Sequence, residues 1–490
     1  MRWIPVAVLF SILTSCSGDN SWSGLGAKCA NPRSGVDPIT GNGYPDAKGT
    51  LDDEKKFLKA FIDDTYLWYS EVPAADPSQY ATATDYFNVL KTTQKTASGS
   101  DKDRFHFWQD TAEWEQLSQT GVQAGYGVTW ALLATRPPRK AVAAYNEPGS
   151  PAANQNVTRG VEVITVDGED VVNGTNVDKL NAGLFPAGIN ETHTFQVLYV
   201  GSATPHDVTM TSANVTGTPV QNVHTIDTAT GKVGYMLFND HLATAEKGVV
   251  NAVTALKAAG IADLVVDIRY NGGGYLDIAS ELAYMIAGAQ NTNGKIFEQT
   301  IFNDKHPSNN PVNGSLISPT PFHTSTVGLS LSRGLALPTL NLAKAYVLTG
   351  SGTCSASESL LNGLAGANVQ VIQVGSTTCG KPYGFYPEDN CGTTYFSIQF
   401  KGVNAKGFGD YSDGFVPGAT TTGSFAGCKV ADDFSHALGD VNEARLAAAL
   451  AYRQSATCPT PTSSALLSGG LSGEGRVFKS IFQTNRILRR

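Results

Sequence analysis

Residues 232–268 read as strand, helix, strand, and that order constrains the chain more than any other feature. Lys232 to Phe238 is an apolar, strand-forming run. Ala243 to Ala259 repeats Val249, Val250, Val253 and Leu256 at helical spacing and closes at Gly260. Leu264-Val265-Val266-Asp267-Ile268 is then a continuous apolar strand of the kind covered on both faces. Two such strands joined by a helix fit a right-handed crossover, so an α/β domain is expected over residues 223–455.

A different pattern precedes it. Gly125-Tyr126-Gly127-Val128 is a glycine turn, Glu147-Pro148-Gly149-Ser150-Pro151-Ala152-Ala153 a helix start, and Gly160 to Gly168 a strand ending in a tight Asp-Gly turn. Phe195 to Val200 and Val208 to Met210 add short strands. These phrases, in this order, resemble a PDZ domain over residues 116–215. The resemblance implies that backbone N–H groups of the loop Gly125, Tyr126, Gly127 and Val128 hold a peptide's terminal carboxylate beside an added strand. Upstream, from Leu51, Phe57/Phe61 and Leu58/Ile62 recur four apart behind Asp52, Asp53 and Glu54, so a small helical region is expected over 51–115. The expected architecture is a mixed α/β and α+β multidomain chain: helical N-terminal region, PDZ-like β-rich domain, α/β core.

The ends read differently. Arg2 and the short apolar stretch Trp3 to Leu13 form a leader too short to span a bilayer. Leu13-Thr14-Ser15-Cys16 resembles a bacterial lipobox, which implies cleavage and lipid attachment at Cys16. The lipobox thus implies a cell-envelope protein anchored by lipid, at the outer membrane facing the periplasm. Residues 17–50, rich in Gly, Ser, Asn, Pro and Asp, read as a tether. Residues 456–490 read as a low-complexity tail, frayed or weakly amphipathic. With Cys16 set aside, Cys29, Cys354, Cys379, Cys391, Cys428 and Cys458 suit disulfides in an exported protein, with fifteen pairings open. A bridge between Cys354 and Cys379 would brace the segments beside them. No C-x-x-C pair occurs, so no metal site is expected. The formal charge is −8 and only 16% of residues are charged, without a long basic run before the last fifteen residues, which argues against nucleic acid as a partner.

Two segments carry chemistry. Asp267-Ile268-Arg269-Tyr270-Asn271-Gly272-Gly273-Gly274 follows the buried strand, and its glycines let backbone N–H groups approach a ligand. Alone, it reads equally well as a tight turn. Tyr346 to Thr349 is a strand that breaks at glycines before Thr353-Cys354-Ser355-Ala356-Ser357-Glu358, where a helix begins. Ser355 at that position fits a nucleophile over free helix N–H groups, or simply a cap with Glu358 completing a capping box. Gly375 to Lys381 also fits the phosphate-loop pattern, but Pro382 stands where Ser or Thr must hold magnesium, so nucleotide binding is set aside.

Taken together, Asp267–Gly274, Thr353–Glu358 and Gly375-Ser376-Thr377-Thr378-Cys379-Gly380-Lys381, 26 residues past Ser355, resemble the C-terminal processing, or tail-specific, peptidase family. The resemblance spans about residues 51–452. It implies a serine endopeptidase with Ser355 as nucleophile, Lys381 as base, and an oxyanion hole from the N–H of Ala356 with that of Gly273 or Gly274. It implies a protein or peptide substrate with a free C-terminus and no cofactor. A lysine of ordinary pKa, about 10.4, cannot accept a proton at neutral pH, so that role requires a dry pocket. The family places Gln four residues after the lysine; this chain has Phe385, with Tyr383 as one candidate substitute. No histidine falls in a triad pattern. A peptide-binding protein on a degraded protease core is the competing reading.

Overall fold

The computed structural model describes residues 22–418, 423–459, 475–479 and 486–488, so the leader and Cys16 lie outside the described residues. The core is a seven-stranded sheet in the order Val220–Ile226, Val233–Phe238, Asp263–Asp267, Lys344–Thr349, Gln370–Gly375, Ser424–Lys429, Val416–Pro417. Only the first pairing is antiparallel; the others are parallel. The expected crossover is present: Val233–Phe238 feeds the helix Ala245–Ala258, which returns to Asp263–Asp267 at its side.

Both sheet faces are covered, which is why the central strands are continuously apolar. On one face Val249, Leu282, Leu360 and Phe297 pack with Phe57, Phe61, Phe87 and Phe105. The helical N-terminal region is therefore part of the core's own hydrophobic cluster. Its strand Phe107–Asp110 also pairs with Thr393–Phe396 of the core. The other face packs Leu348 and Val374 against Leu446 of the helix Ala444–Ser455 and against Val142 and Tyr145 of the PDZ-like unit.

In that unit the strand Val128–Ala134 follows the glycine loop and pairs with Lys140–Asn146; Glu162–Val166, Thr192–Leu198 and His206–Thr211 complete the sheet. Ser150 caps the short helix Pro151–Asn154, as the Pro-Gly-Ser-Pro phrase implies. Gly127 has φ of +72°, and a Cβ there would lie 2.3 Å from the Ser150 Cβ, so only glycine fits. Arg159 fixes the unit to the core, donating to Asp432 at 2.7 Å and to the Tyr270 hydroxyl at 2.6 Å.

Two expectations are corrected. Residues 22–50 are not a free tether: Trp22 is buried edge-on against Phe57 and Phe61, and Cys29 is bonded to Cys391. Polar composition concealed this, because one tryptophan and one disulfide suffice to fix a polar segment. Nor is 456–490 simply frayed: Cys458 is bonded to Cys428, and Arg476–Phe478 and Arg486–Leu488 are strands.

Glu281 is fully buried beside Glu246 and takes the Val327 N–H at 2.8 Å. Burial, then the neighbouring carboxylate, push its pKa from 4.5 up to about 8. Between those values the folded chain holds a proton that the unfolded chain has lost, so stability falls as pH rises through that window. Glu281→Gln removes this dependence. Thermal unfolding from pH 5 to 8 should show wild type losing more Tm than the variant; equal losses contradict the assignment.

Candidate active site

The strand Lys344–Thr349 ends at Gly350, and the chain turns through Thr353 into the helix Ala356–Gly366. The turn is sewn to the glycine segment. Thr353 Oγ1 donates to the Ile268 carbonyl at 2.8 Å, while the Cys354 N–H and Ser357 hydroxyl both donate to the Asn271 carbonyl, at 3.1 and 3.0 Å. Ser355 sits at the apex with φ of +62° and ψ of −120°, a conformation rare for any residue with a Cβ. Such backbone strain costs on the order of 1–3 kcal/mol and persists only where surroundings enforce it. Ser355 is fully buried, yet its hydroxyl makes no hydrogen bond among the described residues.

Glu358, fully buried on that first turn, gathers the two motifs. Its carboxylate accepts from the Ser355 N–H at 3.0 Å and from the Gly380 and Lys381 N–H groups at 2.8 Å each. The Thr378 hydroxyl adds a fourth bond at 2.5 Å. Burial raises its pKa, and these four donors oppose the shift. A second link is covalent: Cys354 is bonded to Cys379, with Cα atoms 5.2 Å apart. The residues flanking Ser355 and Lys381 are thus tied twice. Cys354, Glu358 and Cys379 lie close enough together to suggest a metal cluster, but the disulfide consumes both thiols.

Lys381 is fully buried, its Nζ 4.1 Å from the Phe385 ring centre and 5.0 Å from that of Phe105. Phe385 itself therefore meets the amine where the resembling family has Gln, and it meets it with a ring face. Tyr383 packs instead against Trp68, with ring centres 4.7 Å apart. Phe105 comes from the N-terminal region, nearly three hundred residues away in the chain, and no local motif announces it. Its neighbour Arg104 donates to the Cys379 carbonyl.

The glycine segment is narrowed. The Gly273 N–H is taken by Asn271 Oδ1 at 3.0 Å, so it is not a free oxyanion donor. Gly273 O and Tyr275 N–H both face His241, at 3.2 and 2.9 Å. Strand alternation turns the Gly274 N–H to the opposite edge. Gly274 must be glycine: φ is +142°, and a Cβ would lie 2.5 Å from the His241 carbonyl oxygen. Ala356 opens the helix, so its N–H has no acceptor within the helix.

His241 is missed by motif reading, and Asn271, inside the glycine motif, carries no role there. Asn271 Nδ2 donates to the Phe238 carbonyl at 3.0 Å, which leaves Oδ1 to accept from His241 Nδ1–H at 2.9 Å. Burial pushes the His241 pKa down to about 3, so the ring is neutral. The Asp267-Ile268-Arg269 phrase is structural. Arg269 is buried among Asp267, Asp432 and Glu443, with bonds of 2.6 to 2.9 Å.

In the PDZ-like unit, Gly125, Tyr126, Gly127 and Val128 line a cavity of about 590 Å³ together with Leu184, Phe185, Glu147 and Lys479. Among the described residues no helix is long and apolar enough to cross a membrane.

Residues 232–384 match the model of peptidase family S41, and residues 53–107 match the peptidase S41 N-terminal domain. The chain carries the domains of peptidase family S41, and its core is that of a peptidase-class hydrolase. It is similar to a crystal structure from Bacteroides fragilis NCTC 9343 assigned to the S41 proteases, at 23% identity and a TM-score of 0.63. That match covers 84% of this chain and 98% of the other. A photosystem II D1 C-terminal processing protease aligns at 18% identity and a TM-score of 0.44, covering 77% and 94%. No curated protein sequence matches significantly.

Glu358→Ala would strip a buried acceptor from three N–H groups at once. Unfolding free energy should fall by at least ~3 kcal/mol, as read by denaturant titration. A change below 1 kcal/mol would show that Glu358 does not hold the two motifs together.

Proposed function

We propose that the chain is a serine endopeptidase in which Ser355 attacks a substrate carbonyl and Lys381 takes its proton. The observation that carries this reading is Ser355 itself: a strained, buried serine with an unpartnered hydroxyl, tied through Glu358 and a disulfide to the lysine segment. In acylation the Ser355 Oγ–carbonyl bond forms, its proton passes to the Lys381 amine, and that proton leaves with the departing amine. Water then repeats the sequence on the ester. The Ala356 and Gly274 N–H groups are the candidate donors to the oxyanion, each commonly worth about 3 kcal/mol. Complete burial of Lys381 favours the neutral amine that a base must be.

Phe385 acts in the other direction, because a ring face favours an ammonium. That contact supports a second reading, peptide binding without cleavage. In either case the cavity beside Gly125–Val128 would receive a substrate's C-terminal residues as an added strand. Three disulfides, Cys29–Cys391, Cys354–Cys379 and Cys428–Cys458, support an oxidising compartment. Together with the lipobox at Cys16 they favour a lipid-anchored envelope protein.

Wild type should cleave a disordered test protein, and Ser355→Ala and Lys381→Ala should each abolish cleavage while keeping the wild-type Tm within a few degrees. Full activity in either folded variant removes the dyad, and no cleavage by any form supports the binding reading.

A further inference from the structure

The S41 core and the PDZ-like unit each present a strand edge to which a peptide could add, and both edges are occupied by this chain. Arg476–Phe478 lies antiparallel to Val128–Ala134, with Arg476 opposite Leu132, Val477 opposite Ala131 and Phe478 opposite Trp130. It takes the free edge of the strand that follows the glycine loop, and it runs towards that loop. This is the geometry of a bound peptide in strand addition. Val477 packs on the hydrophobic cluster that joins the unit to the core sheet. Lys479 then reaches the Asn239 carbonyl at 2.6 Å, two residues before His241, and borders the cavity of the glycine loop beside Glu147.

The second contact is in the active site. Arg486–Leu488 pairs in parallel with Gly273–Tyr275, and Ile487 lies opposite Gly274. The edge it uses is the one that carries the Gly274 N–H, since the other edge is bonded to His241. The same strand touches the helix that begins at Ala356 and the strand Tyr383–Gly384 just after Lys381. It is bordered by all three catalytic motifs. In this arrangement Ser355 and Lys381 are fully buried and Gly274 is buried, so the hydroxyl is closed to a substrate carbonyl.

We propose that residues 475–479 and 486–488 are built-in occupants of the two substrate edges, with Arg476–Phe478 on the PDZ-like edge and Arg486–Leu488 on the catalytic edge. The chain's own C-terminal segment thereby keeps the peptidase closed until an extended polypeptide displaces it. Blocking of catalysis rests on the peptidase reading; occupancy of the two edges does not. Each edge accepts extended backbone, antiparallel to Val128–Ala134 or parallel to Gly273–Tyr275; the segment meets the PDZ-like edge first and the catalytic edge second, the reverse of a substrate held by its C-terminus. Each is therefore a site for unfolded protein rather than for a folded surface loop.

The test uses the full chain with Arg486→Pro and Ile487→Pro together, which remove backbone donors from the catalytic-edge strand and leave Arg476–Phe478 intact. Cleavage of a disordered protein should rise at least tenfold, and Ser355→Ala in that background should silence it. An unchanged rate with Ser355-dependent cleavage overturns the inference and leaves the peptidase reading standing. A second readout needs no activity: a fluorescein-labelled peptide of residues 475–490, titrated by anisotropy in the Ser355→Ala background. It should bind the proline variant at least tenfold more tightly than the parent chain. Equal binding, or none to either, overturns the inference even if no form of the enzyme cleaves anything.

Discussion

The site depends on one buried carboxylate. Glu358 lies in the first turn of a helix, where its oxygens can reach back to the N–H of Ser355 and across to those of Gly380 and Lys381. Two segments on neighbouring strands of the sheet, Lys344–Thr349 and Gln370–Gly375, are thereby given one relative placement. The disulfide Cys354–Cys379 restates that placement covalently. A strained φ at Ser355 can be sustained because its N–H, its neighbours on both sides and the opposing loop are all fixed. The glycine segment completes the arrangement through Asn271, whose carbonyl holds the serine turn and whose side chain holds Gly273 and His241.

The sheet was legible because its strands are buried on both faces and so read as unbroken apolar runs; Leu264 to Ile268 is the clearest case. The helix at Ala356 and the glycine-rich turns were legible for a similar reason, since each has a local conformational requirement that few residues meet. What the sequence concealed is long-range. Phe105 faces Lys381 only because the N-terminal region folds into the core cluster. His241 meets Asn271 through the parallel stacking of strand ends. Glu358 reads in sequence as a capping residue and acts in the structure as a clamp between two loops. Gly273 and Gly274 were indistinguishable in sequence; the Asn271 side chain and the edge bonded to His241 separate them.

The segment after Cys458 was misread for a physical reason too. Its composition, low in periodic apolar residues, gives no sign that it can form structure alone. Arg476–Phe478 and Arg486–Leu488 are strands because existing sheet edges supply their hydrogen-bond partners. An edge that accepts a substrate accepts any extended backbone, and a tethered segment has the advantage of local concentration. The same logic applies at the other end of the chain, where Trp22 and Cys29 fix a polar stretch that composition alone assigns to a flexible linker.

The central claim is that the Ser355 hydroxyl forms a covalent ester with the acyl half of its substrate while Lys381 carries the proton. Rapid-quench mass spectrometry with an activated peptide ester reads this directly. The account predicts an acyl adduct on the tryptic fragment that contains Ser355, forming within the first turnover and greatly slowed in Lys381→Ala. An adduct on another residue, or one that forms equally fast without Lys381, would contradict it.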